Sequence, residues 1–451
     1  MSVSIIILAG GKGTRMKSIK PKVLQTLAGK PLLRHVLDTC KPLNAKHTIL
    51  IYGYNGQMVK DEIRDDGIVW AEQAEQLGTG HAVQMALPHL PKDGKSLILY
   101  GDVPLTQLDT LQKLIDSNMD GISMLTLEVD NPFGLGRIIR DDGKVVAIVE
   151  EKDANDSQKQ VKEINSGIYC VDNALLHDYL PKLNNDNAQG EYYLTDIIKM
   201  AVADNVDIST ISPTLAFEIE GVNDRIQLAN LERTYQAHQV HALQIAGVQF
   251  ADPSRVDIRG TLSCGSDVFI DINTVFTGDV RLENGVRIDA GNIITDCTIG
   301  ENSHIKPNCV LSESQIGQGV AIGPFAHIRP KSDIGDDVKI GNFVETKKST
   351  LHAGAKVSHL SYIGDAIVGR EVNVGAGVIT CNYDGVNKFT TEIGDGAFIG
   401  SNSSLVAPVK IGENATIGAG SVITKDAPDG KLAVARSRQT VIDGWQRPSK
   451  K

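Results

Sequence analysis

Two groups of residues in this 451-residue chain have the types and spacing to do chemistry. The first is Ala9-Gly10-Gly11-Lys12-Gly13-Thr14-Arg15-Met16, with Lys22 shortly after it. Glycines let a backbone take positive φ and approach a ligand closely. Backbone N–H groups in such a loop cradle an anion, and Lys12, Arg15 and Lys22 add positive charge. The loop lacks the Gly-Lys-Ser/Thr ending of a Walker loop, and Met16 stands where a dinucleotide fingerprint needs its third Gly. Taken alone, it is either a phosphate loop or a tight structural turn. Further on, Gly101-Asp102 offers a carboxylate that either caps a turn or, with the loop, makes a magnesium–polyphosphate site. Between them, Gln73 to Gly80 is a polar turn with amide and backbone groups for a nucleobase.

The second group is Arg329, Glu345, Lys347, His359 and Tyr362. An imidazole, with its ordinary pKa of about 6.5, accepts a proton at neutral pH. Two cations beside it form an anion clamp if the fold brings them together. A lone His359 would be an ordinary surface histidine, so the reading rests on the constellation. His238 and His241, at i and i+3, have no third ligand in the sequence nearby and read as a solvated helix face.

The elements that must position these groups differ between the halves of the chain. Val3–Leu8 and Ser96–Tyr100 are unbroken apolar runs, the mark of strands buried on both faces. They alternate with helical patterns over the first 220 or so residues, which predicts an α/β, Rossmann-like domain with a largely parallel sheet. Both runs end in a motif, and the carboxyl edge of such a sheet is where ligands sit. In the second half an aliphatic residue recurs at every sixth position. It does so at Ile299, Ile305 and Leu311, restarts one residue early at Ile316 and runs on through Ile322, Ile328, Ile334 and Ile340, then resumes from Leu351 to Ile363, from Val368 to Val374 and from Ile393 to Ile423. Of the whole series only Thr346 and Thr380 are not aliphatic. Period six predicts a parallel β-helix of hexapeptide repeats, with the small residue that often follows (Ile334-Gly335, Ile340-Gly341, Ile411-Gly412) turning a tight corner. Walls repeat about every 18 residues in such a prism, which aligns Arg329 with Lys347 on adjacent coils. The step from Thr380 to Ile393 is more than twice the usual six, so Cys381–Phe389 protrudes as a loop. Asp224 to Ala246 reads as one helix, a solvent-exposed arm between domains. The expected division is 1–225, a helical linker 226–246, and 247–451.

Bulk properties set limits. A net charge of −10 with no long basic block argues against nonspecific binding to nucleic acid or an anionic membrane. The six cysteines have no CxxC spacing, which reads as reduced thiols in a cytoplasmic protein. The N-terminus is too short and too uncharged ahead of its apolar run for a signal peptide. No apolar run approaches the roughly 20 residues of a transmembrane helix.

The stretch Leu8 to Arg15 with Pro21-Lys22 resembles the signature of sugar-phosphate nucleotidylyltransferases. Gln73, Gly78-Thr79-Gly80, Tyr100-Gly101-Asp102 and Glu220-Gly-Val-Asn223 narrow the likeness to the bifunctional pyrophosphorylase/N-acetyltransferase family that makes UDP-N-acetylglucosamine. The match runs from about residue 5 to 447 and includes the hexads; Gly10 departs from it, because the family usually has Ala there. The resemblance implies that Leu8, Ala9, Gly10 and Gly11 approach UTP, with Lys22 on its phosphates and Arg15 stabilising charge during transfer. Gln73, Gly78 and Thr79 would recognise uracil, Tyr100 and Gly101 line the site, and Asp102 and Asn223 hold Mg²⁺. Gly136, Glu150 and Asn165 would bind the N-acetylglucosamine part. It further implies a left-handed β-helix that acetylates glucosamine 1-phosphate from acetyl-CoA. His359 would be general base and Glu345 would orient the amine. Arg329, Lys347, Tyr362, Asn373 and Lys388 would hold the sugar phosphate. Ala376, Asn382, Tyr383, Ser401, Ala419 and Arg436 would border acetyl-CoA. A homotrimer and a product feeding peptidoglycan and lipopolysaccharide are also implied. The competing expectations are a single nucleotidylyltransferase whose β-helix only assembles it, and a scaffold with degenerate sites.

Overall fold

The computed structural model describes residues 2–119 and 121–450. It divides into two compact units, the first ending at Tyr235 and the second beginning at Gln236.

The first unit is built on one sheet. Its strands are β1 (Val3–Ala9), β2 (His47–Tyr52), β3 (Ile68–Glu72), β4 (Lys95–Tyr100) and β5 (Ile122–Glu128). They are followed by β6 (Arg137–Asp141), β7 (Lys144–Val149), β8 (Glu163–Asp172) and β9 (Ile208–Ile211). The order across the sheet is β9-β5-β8-β4-β1-β2-β3, with the β6–β7 hairpin attached to β8. The strands β4, β1, β2 and β3 are mutually parallel, as the apolar runs predict. The sheet is largely parallel, as expected, with β8 the exception on its main path, antiparallel to both β4 and β5. Residues of β1 alternate between two cores, Ile6 and Leu8 on one face and Ile5 and Ile7 on the other. That double burial is why β1 shows no polar alternation. The chain leaves β1 for β2 on one side and later returns as β4 on the other. The crevice at the carboxyl ends of β1 and β4 is therefore a topological switch point, and both motifs end there.

The second unit is a parallel β-helix. Ile299 pairs in register with Ile316, and Ile316 with Ile334, one coil along each time. Ile305, Ile322, Ile340 and Val357 form a ladder on another wall. Every residue of the six-residue series is buried, including Thr346 and Thr380 at 0% exposure. Thr380 is accommodated because its hydroxyl donates to Gly364 O at 3.0 Å and accepts from Gly364 N at 2.8 Å. The small residue that often follows an inward aliphatic does not make the corner. The left-handed corner falls three positions after the aliphatic, at Asn302, Asp337 and Asn414. The glycine is required by stacking: a Cβ on Gly335 would lie 2.9 Å from Leu351 O on the next coil.

The helix joining the units runs Arg225–Ile245. Asp224 caps it, its Oδ1 accepting from Ile226 N and Gln227 N at 2.9 Å. It is not a free arm. Leu231 packs with Met16, Leu27, Leu32, Leu105 and Val222, and Val240 belongs to the β-helix core. Leu228 and Tyr235 pack against the first of these clusters and Leu243 against the second, while most of the remaining helix surface is polar and exposed, which is why its sequence reads as a solvated arm. Among the described residues no helix is long and apolar enough to cross a membrane.

Candidate active sites

In the first unit, a cleft of about 360 Å³ opens at the carboxyl edge of β1 and β4. Leu8, Ala9, Gly10, Gly11, Lys22, Gln73, Gly78, Thr79, Tyr100, Asp102 and Asn223 line it. Val23, Gln76, Ala82 and Glu191 complete the lining. A second cleft of about 470 Å³ holds Asn165, Ser166, Leu127, Leu135 and Leu231, and shares Tyr100, Asp102 and Asn223 with the first. Those three residues border both clefts, where a group passing from a ligand in one to a ligand in the other would travel.

Gln73 is buried, its amide donating to Gly78 O at 3.1 Å and lying 3.2 Å from His81 Nδ1. Gly10 permits this, because a Cβ there would stand 2.9 Å from Gln73 Oε1. Gly167 is needed under Tyr100: it has φ +82°, and a Cβ would lie 2.6 Å from the tyrosine ring. Burial, with Asp102 and Glu150 nearby, pushes the Tyr100 hydroxyl well above its ordinary value, so it stays protonated as a donor. Asn165 N donates to Gly136 O at 2.9 Å, which brings those two positions together beside Glu150. Burial also raises the Glu150 carboxyl, against a bond from Thr195 Oγ1 at 3.3 Å. Gly101 is not among the residues lining either cleft; a Cβ there would point into Ala9, Val23 and Leu33. Arg15 is exposed on the far limb of the loop and does not line the cleft.

Lys22 Nζ donates to Asp102 Oδ2 and, at 3.1 Å, to Asn223 Oδ1. Two oxygens thus converge on one cationic centre, with the ammonium as the stand-in ion. That donor set fits Mg²⁺, which is held by one or two carboxylate-type oxygens and completes its shell with water and phosphate. Among the described residues no group of three or more His, Cys, Asp or Glu side chains gathers to hold a metal alone.

In the second unit, register does what sequence spacing could only indicate. Asn342 pairs with His359 across adjacent coils, and their side chains meet at 2.9 Å, Asn342 Oδ1 to His359 Nδ1. With Nδ1–H donating to that oxygen, the other ring nitrogen, Nε2, is the acceptor. Glu345 pairs with Tyr362 on the neighbouring wall. Arg329 and Lys347 do stand on adjacent coils, and each has a carboxylate of its own. Arg329 bonds Glu345 at 2.7 Å, and Lys347 lies 3.8 Å from the buried Asp365. Lys388 approaches Lys347, which depresses the Lys388 ammonium below its ordinary value. A polyanion between them would relieve that repulsion.

The protruding loop is a short hairpin, with Phe389 N donating to Asn382 O at 2.9 Å and Asp384 capping its tip. Asn382 is buried and its amide donates to Asp365, while Tyr383 is exposed and its hydroxyl donates to Gly385 O. Asn373 stands between Lys356 and Phe398 on the wall that carries His359. From His359 a corner column runs along the prism. Gly377 N donates to His359 O, Asn402 N to Ala376 O, Gly420 N to Ser401 O, and Arg436 Nη1 to Ala419 O. His359, Ala376, Ser401, Ala419 and Arg436 therefore border one continuous edge.

A family model of MobA-like NTP transferase domains matches residues 5–135. One of bacterial transferase hexapeptides matches 313–348 and 390–425. The bifunctional protein GlmU of Psychrobacter sp. (strain PRwf-1) is 62% identical over 100% of this chain and 99% of its own length. GlmU of Psychrobacter arcticus is 63% identical over the same shares, and that of Acinetobacter baumannii (strain ACICU) 58%. The chain belongs to the GlmU family. Its likeness to the GlmU proteins spans both units, so neither cleft nor column lies in an appended or foreign segment.

Sequence reading missed several residues of these sites in this GlmU chain. Asn342 carries no motif, and its only signal is that it precedes His359 by one coil. Asp365 is a carboxylate at a left-handed corner with 5% exposure, visible beforehand only as an unusual acid beside the hexad core. Glu191 reaches the nucleotide cleft from a loop with no periodic pattern. Arg137 is 1% exposed and bonds Glu151 at 2.6 Å, stapling the loop that bears Gly136.

Proposed function

We infer that the protein is the bifunctional enzyme of UDP-N-acetylglucosamine synthesis. It transfers acetyl from acetyl-CoA to glucosamine 1-phosphate, then uridylyl from UTP to N-acetylglucosamine 1-phosphate with release of pyrophosphate. The observation that carries this is full-length membership of the GlmU family with a site in each unit.

In the acetyl transfer, the amine nitrogen attacks the thioester carbonyl and the CoA thiolate leaves. His359 Nε2 takes the amine proton, and Asn342 steadies the imidazolium that forms. Arg329, Lys347, Tyr362, Asn373 and Lys388 hold the sugar phosphate and Glu345 orients the amine; the lysine pair with its depressed Lys388 supports this reading. The cofactor lies along Ala376, Asn382, Tyr383, Ser401, Ala419 and Arg436. Asn382 acts there through its backbone, since its side chain is engaged by Asp365. In the uridylyl transfer, a phosphate oxygen of the sugar phosphate attacks the α-phosphorus of UTP. Such a reaction asks the protein mainly to align the groups and offset negative charge. Leu8, Ala9, Gly10 and Gly11 approach the nucleotide, Gln73, Gly78 and Thr79 read uracil, and Gly136, Glu150 and Asn165 hold the sugar. Tyr100 shapes the wall. Lys22 takes the phosphates. Mg²⁺, held by Asp102 and Asn223, would neutralise charge on the phosphate oxygens. The chain works as a homotrimer in the cytoplasm. The stacked pair Phe325–Phe343, each ring about half exposed, supports a subunit interface, and the scattered unpaired thiols support a reducing compartment.

The test is to mix the protein with glucosamine 1-phosphate, acetyl-CoA, UTP and Mg²⁺. UDP-N-acetylglucosamine should form only when all four are present. His359→Ala should abolish CoA release and leave pyrophosphate release from N-acetylglucosamine 1-phosphate intact, and Asp102→Ala should do the reverse. Unchanged CoA release in the first variant, or full-rate uridylyl transfer in the second, would sink the assignment.

A further inference from the structure

Lys22 bonds both of the oxygens assigned above to Mg²⁺, although Asp102 and Asn223 lie 80 and 201 residues away in sequence. The contact is sheltered, the Lys22 and Asp102 side chains being 15% and 16% exposed. Removing the ammonium would leave a part-buried carboxylate facing an amide oxygen, two acceptors with no donor between them, which is costly. An ammonium and a divalent cation cannot share those lone pairs, because like charges at contact distance repel strongly when water is scarce.

We propose that Lys22 is a built-in occupant of the metal position in the nucleotide-free protein, yielding it to Mg²⁺ only when nucleotide phosphates give the ammonium a second anionic partner. This rests on the reading of Asp102 and Asn223 as the metal ligands. The stem of Lys22 supports a movement of this kind. Its Cβ is held close against Gly13 of the phosphate loop, where a Cβ would come within 2.7 Å. The base of the side chain is thus fixed, and a rotation of the far methylenes alone would carry the ammonium from the carboxylate toward phosphates cradled by the same loop. Metal and nucleotide binding become linked, and the linkage is reciprocal: each tightens the other by the same factor. Free divalent ion alone is kept out, and Asp102 is never left unpaired.

The experiment uses the full-length protein and Mn²⁺ as the probe, with binding followed by water-proton relaxation. Without UTP, Lys22→Met should bind Mn²⁺ at least about tenfold more tightly than the unsubstituted protein, the worth of one charged hydrogen-bond pair removed from competition. Lys22→Gln serves as a second variant if the first folds poorly. Lys12→Met removes the same charge from the exposed limb of the same loop and should leave Mn²⁺ binding unchanged. Equal affinity in Lys22→Met and the unsubstituted protein would overturn the proposal, and so would equal tightening in Lys12→Met, which would make the effect one of net charge. Asp102→Asn separates the two layers of the argument. If it retains Mn²⁺ binding in the presence of UTP, the metal assignment itself fails; if it loses that binding while Lys22→Met changes nothing, only the role of Lys22 falls.

Discussion

Asn342→Ala removes the partner of His359 Nδ1 without touching the substrate-facing nitrogen. The bond is of ordinary length, 2.9 Å, and joins neutral groups before reaction. Once the imidazole has taken the amine proton, the same bond has a charged donor. Neutral bonds contribute about 1 kcal/mol and bonds to charged groups about 1.5–3 kcal/mol, so the difference realised in the transition state is about 1 kcal/mol. His359 is exposed, which places the effect at the low end of that range. At about 1.4 kcal/mol per factor of ten, kcat for acetyl transfer should fall about two- to fivefold, and the KM for both substrates should stay within about twofold. The assay follows free CoA thiol at saturating acetyl-CoA and glucosamine 1-phosphate. Pyrophosphate release from UTP, catalysed in the other unit, is the internal control. An unchanged kcat would refute the orienting role. A loss confined to KM would show that Asn342 binds substrate and leaves His359 to itself.

Two more outcomes test the nucleotide unit. Burial holds the Glu150 carboxyl above its ordinary value of 4.5, so folding binds a proton there and stability falls as pH rises from 4.5 through the folded value. Glu150→Gln should therefore melt higher than the unsubstituted protein at pH 8, with the gap closing at pH 4; an equal gap at both pH values would exclude titration of Glu150 as the cause. Gly10→Ala brings a methyl against Gln73 Oε1 and should shift that amide off Gly78 and His81, raising the KM for UTP a few-fold at most, since the end of a flexible side chain can give way. A KM unchanged for UTP would mean that Gln73 does not hold its observed position when nucleotide binds.

Much of the architecture was legible because it is repetitive or locally encoded. One inward aliphatic per hexad is a condition that every coil must meet, so the period survives the two threonines and the inserted loop. Strands such as Val3–Ala9 and Lys95–Tyr100 announce themselves because burial on both faces leaves no room for polar residues. The antiparallel course of Glu163–Asp172 was not legible, since direction within a sheet depends on neighbours and not on the strand's own residues. The glycine that often follows an inward aliphatic is visible in the sequence, but its reason is not: the cause is the backbone of the next coil, which no local window contains.

The same division holds at the sites. Sequence alone determined which residue types were present and which local element bore each one, because a Gly-rich turn, a carboxylate ending a strand and an imidazole in a hexad are local facts. Only the tertiary structure decided partners. It put Lys22 between Asp102 and Asn223, gave Asn342 to His359, sent Arg329 to Glu345, and left Arg15 outside the cleft. A hydrogen bond or ion pair is decided by which side chain lies within about 3 Å. At that range the pairing depends on coil register and strand order, which chain spacing does not carry.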